Sequence, residues 1–155
     1  MKLTEHFQLS EFTRSATARR RHIDNSIDLS IPSGQSVVAN LKNLCEQVLE
    51  PLRQHFNVPI VISSGYRCPA LNRAVGGAVN SQHMTGEAAD IHIPDTATGN
   101  EWFIWIMKNC DFDQLIKETA DCNTYWIHIS CLRNRNRNLV IRNLVKNAGI
   151  ETDDY

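Results

Sequence analysis

Residues 80–93 read NSQHMTGEAADIHI, from Asn80 to Ile93. The stretch reads either as a strand with polar ends or as half of a metal site. A strand turns alternate side chains to opposite faces. In EAADIHI, Ala89, Ile91 and Ile93 then share a face that suits a core, while Ala88, Asp90 and His92 share the other. A carboxylate and an imidazole therefore project together. His83 lies in the loop ahead of Gly86, whose backbone freedom lets the chain fold back toward Asp90.

A second half-site has to come from another strand, and TYWIHIS supplies one. Tyr125, Ile127 and Ile129 share one face there, and Trp126, His128 and Ser130 the opposite one. Catalytic zinc takes three protein ligands and keeps a fourth position for water. His83, Asp90 and His128 offer two neutral imidazoles and one carboxylate. That set leaves a net positive metal able to acidify its water. Cys122 and Cys131 flank His128 and offer a thiolate as an alternative ligand. Histidines that merely decorate a surface are the competing reading.

Around these strands the chain reads as α+β, with helices packed on a mainly antiparallel sheet. Val37, Val38, Leu41, Leu44, Val48, Leu49 and Leu52 recur at three- and four-residue steps. They predict a long core helix from IPSGQS to about Phe56, which Pro51 kinks or locally unwinds. VPIVISS reads as a buried strand, and a helical turn is expected at Ala70–Ala74. ATGNEWFIWIMKNC reads as a helix with Trp102, Ile104, Trp105 and Ile106 toward the core. FDQLIKE and TYWIHIS read as a hairpin, and LVIRNLV as a last strand or helix. The first thirty or so residues are short of large apolar groups, with Ser10 a candidate N-cap. A single domain is expected over 1–155, with a helical arm at 1–32 and a tail at 150–155.

Composition excludes some partners. The formal net charge is -1 and 42% of residues are hydrophobic, so no nucleic-acid partner and no membrane insertion are expected. Arg14, Arg19, Arg20 and Arg21 read as a solvated face. The five cysteines form no CxxC pair and are expected to be free thiols, with Cys45 in the core. MKLTEHFQLSEF has no apolar signal region, so synthesis in the cytoplasm without a secretory leader is expected. A monomer is expected.

The segment SGYRCPALNRAVGGAVNSQHMTGEAADI, followed by FDQLIKE and WIHIS, resembles the zinc D-Ala-D-Ala carboxypeptidases, in their compact single-domain bacterial and phage branch. The family pattern is S-x-H-x-x-G-x-A-x-D with a later H and an upstream G-Y-R. Ser81, His83, Gly86, Ala88, Asp90, His128 and Gly65-Tyr66-Arg67 match it. The resemblance implies the Hedgehog/DD-peptidase fold and one Zn2+ on His83, Asp90 and His128. It also implies that Arg67 faces the substrate, pairing with a terminal carboxylate of a peptidoglycan stem peptide or holding the oxyanion. Ser81, Gln82 and Trp126 are expected to support the site, and His92 to be only a neighbour.

One position departs from the pattern. Related peptidases often carry an acidic general base three residues before the last histidine, where this chain has Tyr125. Glu118 is the expected substitute, Asp121 a weaker one, and Tyr125 could assist through its hydroxyl. A regular tight hairpin is expected to leave Glu118 too far along the sheet from His128 unless the link bulges or shifts register. The expected function is hydrolysis of peptidoglycan stem peptides, as a carboxypeptidase or an endolysin-type endopeptidase released through a holin-type lesion. The alternative is a catalytically silent zinc-binding member that binds cell-wall peptide.

Overall fold

The computed structural model describes residues 1–119 and 125–145. Helices α1 (Leu9–Thr13), α2 (Ala16–Arg20), α3 (Pro32–Leu44) and α4 (Glu50–Phe56) precede the first strand, β1 (Val61–Ser64). Helix α5 (Pro69–Ala74) and a 3-10 turn (Gln82–Thr85) lead into β2 (Ala88–His92) and α6 (Thr96–Asn109). Strands β3 (Gln114–Thr119), β4 (Tyr125–Ser130) and β5 (Leu139–Val145) complete the sheet. Its order is β1-β2-β4-β3-β5. The pairs β1/β2, β2/β4 and β3/β4 are antiparallel, and β5 adds to β3 in parallel. The fold is α+β with a mixed sheet, mainly antiparallel as expected, and is compatible with that of the DD-peptidases. LVIRNLV is a strand.

The core lies where the apolar stripe of α3 and α4 meets one face of the sheet. Leu41, Leu44, Val48, Leu49 and Leu52 pack with Ile62, Ile91, Leu115, Ile127 and Ile129, all essentially inaccessible to solvent. Pro51 does not break this stripe. It has no N–H for the Gln47 carbonyl and its ring crowds that oxygen. The chain widens to a π turn at Cys45–Leu49, in which Glu50 N–H reaches the Cys45 carbonyl, and the proline then opens α4. The local unwinding expected at Pro51 therefore lies in the turn before it.

In α6, Trp102, Phe103 and Ile106 are buried, whereas Ile104 is 43% exposed. Residues 102, 103 and 106 share one helical face and 104 falls opposite, which corrects the expectation for Ile104. Trp105 is only partly buried and stacks on His55 with ring centroids 4.8 Å apart.

The N-terminal arm contributes more to the core than its composition suggests. Leu3, Phe7 and Phe12 belong to the central cluster. Ser10 is not a cap. Helix α1 begins one residue earlier, where the Glu11 carboxylate accepts from Gln8 N–H at 2.7 Å, and Ser15 caps α2 by accepting from Ala18 N–H at 3.0 Å. Glu50, buried at the start of α4, accepts from Thr4 Oγ1 at 2.6 Å and contacts His6 Nδ1, clasping the arm to the helix. No helix among the described residues is long and apolar enough to cross a membrane.

Phe12 is 0% exposed, so Phe12→Ala is expected to destabilise the protein by about 3–5 kcal/mol in urea unfolding, as a core aromatic does. A change below about 1 kcal/mol, the size of a surface substitution, would show that the arm is not part of the core.

Candidate metal centre and active site

The site stands on the sheet face opposite the apolar core. Asp90 on β2 pairs directly with His128 on β4, so antiparallel register sets the carboxylate beside the imidazole. His128 Nδ1 lies 2.9 Å from Asp90 Oδ1. His83 reaches the same place from the 3-10 turn, its Nε2 3.3 Å from both Asp90 Oδ1 and His128 Nδ1. All three residues are buried.

Several backbone details fix His83. Its Nδ1–H donates to the Gly65 carbonyl at 2.7 Å, which leaves the Nε2 lone pair turned to the centre. Ser81 caps the turn, its Oγ accepting from His83 N–H at 3.4 Å. Gly86 ends the turn at φ +74°, and a Cβ there would stand 2.6 Å from the Val37 carbonyl oxygen. Only glycine fits both the left-handed backbone and that approach.

Arg67 is buried rather than open to solvent. Its Nη2 donates to Asp90 Oδ2 at 2.9 Å and its Nε to Ser64 Oγ at 2.9 Å. Its backbone N–H donates to the His83 carbonyl at 3.2 Å, stitching the two loops together. Burial first, then the Arg67 charge, pushes the His83 imidazole down to about 4, so it is neutral at pH 7. Burial alone would raise the Asp90 carboxyl. The adjoining His83 and His128 imidazoles oppose that and hold it well below the ordinary carboxylate range. Asp90 is thus an anion.

This donor set fits a metal ion. Ligand atoms from His83, Asp90 and His128 all lie within 4.8 Å of one another. Ligands on a tetrahedral zinc, with bonds of about 2.0–2.1 Å, stand about 3.3–3.4 Å apart. The two separations from His83 Nε2, each 3.3 Å, have that length. As ligands, two imidazoles and one carboxylate would leave a bound divalent ion net positive.

Glu118 lies on the same face. It is buried and pairs with Trp126, while Ile116 pairs with His128 in an uninterrupted β3/β4 register. It is therefore a diagonal neighbour of His128, at the separation of about 7–8 Å that long side chains span. No bulge or register shift between the two strands is needed to bring it there. Asp121 and Cys122 lie outside the described residues. Tyr125 belongs to the other face, where its hydroxyl donates to Asn100 Oδ1 at 2.9 Å, so it cannot assist at the metal. Cys131 is also away from the centre, its thiol beside Asn43 and Asn136, with burial raising its pKa. His92 follows Asp90 by two residues on β2 and is not among the converging ligand atoms.

A family model described as Peptidase M15 matches residues 5–130. The chain belongs to this peptidase family. A comparison with curated proteins finds no match. M15 peptidases are zinc-dependent, and the His83–Asp90–His128 group can hold such an ion. The match to the M15 model ends at Ser130, so β5 and the loop before it lie beyond it.

Two supports of this M15 site carry no sequence signal. Buried Asn25 donates to the carbonyls of Thr13 and Tyr66 and accepts from Cys68 N–H at 2.8 Å, bracing the loop that holds Arg67. Asp113 is fully buried, gripped by Arg137 Nε at 2.8 Å and Nη2 at 2.6 Å. It also accepts from Gln82 Nε2 at 2.8 Å, tying the turn of His83 to the start of β3.

The hydrogen bond from Arg137 holds the Asp113 carboxyl below its ordinary value. A depressed carboxylate stabilises the fold above its unfolded pKa, and that contribution is lost as pH falls through the folded value. Asp113→Asn is expected to cost about 2 kcal/mol at neutral pH. The gap to wild type should narrow below about pH 4 in urea titrations at several pH values. A gap independent of pH would rule out the ionic contribution.

Proposed function

We propose that the chain is a zinc peptidase that hydrolyses D-amino-acid-containing stem peptides of peptidoglycan, as a D-Ala-D-Ala carboxypeptidase or an endolysin-type endopeptidase. The supporting observation is the convergence of His83, Asp90 and His128 on the sheet face that also carries Glu118. His83, Asp90 and His128 would hold a zinc ion, which would supply an acidified water and a Lewis acid for the scissile carbonyl. Glu118 takes the proton of the attacking water and passes it to the leaving amine. Arg67 pairs with Asp90 by holding Oδ2, which leaves Oδ1 turned toward His83 and His128. The Nη1 of Arg67 makes no hydrogen bond among the described residues and is the group left to meet a substrate carboxylate or the developing oxyanion.

A second reading is a silent member that keeps zinc and binds cell-wall peptide without cutting it. Its motivation is Tyr125, which stands where related peptidases carry the base and points away from the centre.

Release of D-alanine or of a cut peptide from a purified muropeptide separates the two. Glu118→Gln is expected to lower kcat by about 10²–10⁴ while zinc stays bound, the range for loss of a general base. Wild-type turnover in that variant would place the base elsewhere. Peptide binding without turnover in the zinc-loaded wild type would establish the silent reading.

A further inference from the structure

The arginine cluster of the N-terminal arm divides in the structure. Arg20 turns back to Thr17 Oγ1 at 3.1 Å. Arg14 and Arg19 instead line a crevice of about 880 Å³, within the range of small-molecule and peptide sites. The crevice runs between α1–α2 and the edge strand β1, and Val61, Ser63 and His92 form its far wall. His92 is two residues beyond Asp90 on the same face of β2, or about 7 Å along the strand. The crevice thus begins beside the metal-binding cluster. Asn25, which braces the Arg67 loop, is part of the same wall.

Its chemistry selects an anion. Arg14 Nη2 donates to the Ile62 carbonyl at 3.3 Å, which anchors the guanidinium at the sheet edge. A guanidinium has five N–H donors, so the remaining ones are held ready in a fixed plane. Arg19, one helix further along, adds a second cation. Among the described lining residues the one acid, Asp24, accepts from Ser26 N–H at 2.9 Å. Among the described residues, two guanidinium groups face one carboxylate there, a positive excess in a chain of net charge -1.

We propose that this crevice is a substrate subsite, in which Arg14 and Arg19 receive a free carboxylate of the peptide near the scissile amide. The assignment rests on the peptidase reading for the identity of its ligand. An extended peptide advances about 3.3–3.6 Å per residue, so the carboxylate belongs to a residue roughly two or three positions from the cut bond. The subsite then distinguishes stem peptides by whether that carboxylate is free or amidated.

The test uses two synthetic stem peptides that differ only in one free carboxylate or its primary amide. Binding is measured by calorimetry on the zinc-loaded Glu118→Gln chain, and cleavage on the zinc-loaded wild type. The acid form is expected to bind about three- to tenfold more tightly, the range for one charge-assisted contact at a partly exposed site. Arg19→Gln, and Arg14→Gln combined with it, should bring the ratio close to one, with Arg19→Lys retaining part of it. Because Arg14 also supports β1, the Arg19 variants carry the test if the double variant does not fold. Equal binding of the two peptides to the parent chain, or a preference that survives loss of both arginines, overturns the subsite. So does stronger binding of glycerol phosphate than of the acid peptide. A preference in binding without any cleavage leaves the subsite standing and removes the peptidase reading. Cleavage of both peptides without preference does the reverse.

Discussion

A carboxylate removed from water must find compensating charge, and the burial of Asp90 imposes this on everything near it. One oxygen is held by Arg67 at 2.9 Å. The other faces two imidazole nitrogens, His83 Nε2 and His128 Nδ1, and the His83 ring gives its Nδ1–H to the Gly65 carbonyl on its far side. Arg67 balances the charge of Asp90, and the neutral His83 ring adds none at pH 7. What remains is a small polar centre of converging ligand atoms that can hold a divalent cation. Loss of Arg67 would leave the anion without its standing counterion, so the arginine shapes the site before any substrate arrives.

The fold meets this constraint with ordinary parts. Antiparallel pairing of β2 and β4 places Asp90 opposite His128, and the same alternation sends Ile91, Ile127 and Ile129 into the core. The third residue of the centre, His83, comes from a short turn pressed between helix α3 and the loop of Gly65. That closeness explains Gly86, where a side chain would strike the Val37 carbonyl, and Gly65, where a Cβ would fall 2.6 Å from Phe12. The N-terminal arm is therefore in backbone contact with the loop whose carbonyl orients His83. It packs in the core, supports the site and lines the crevice of Arg14 and Arg19.

Periodic features were legible in the sequence. The α3–α4 stripe, the alternation in β2 and β4 and the order of the elements follow from spacing, because burial on one face repeats along a regular element. Features that depend on partners far along the chain were not. Phe7 and Phe12 stand singly in a polar arm with no period to mark them. Asp113 and Asn25 look like ordinary loop residues, and only tertiary packing shows that they are buried. Glu118 appeared to need a bulge because its distance from His128 depends on the link between β3 and β4. Once the register is known, the two share a face as diagonal neighbours. Tyr125 was the opposite case. Its odd offset from His128 already assigned it to the core face, and the hydrogen bond to Asn100 accounts for its hydroxyl.

The most direct test of the centre is the metal content of the purified, dialysed full chain, determined by elemental mass spectrometry. One zinc per chain is expected. His83→Ala, Asp90→Ala and His128→Ala should each lose most of it, with the unfolding transition still cooperative. A cobalt-substituted wild type should show the intense visible absorption of a four-coordinate site. Wild-type protein that folds but holds no zinc at micromolar free metal, or single-ligand variants that keep a full equivalent, would contradict the assignment of these three residues as the metal site.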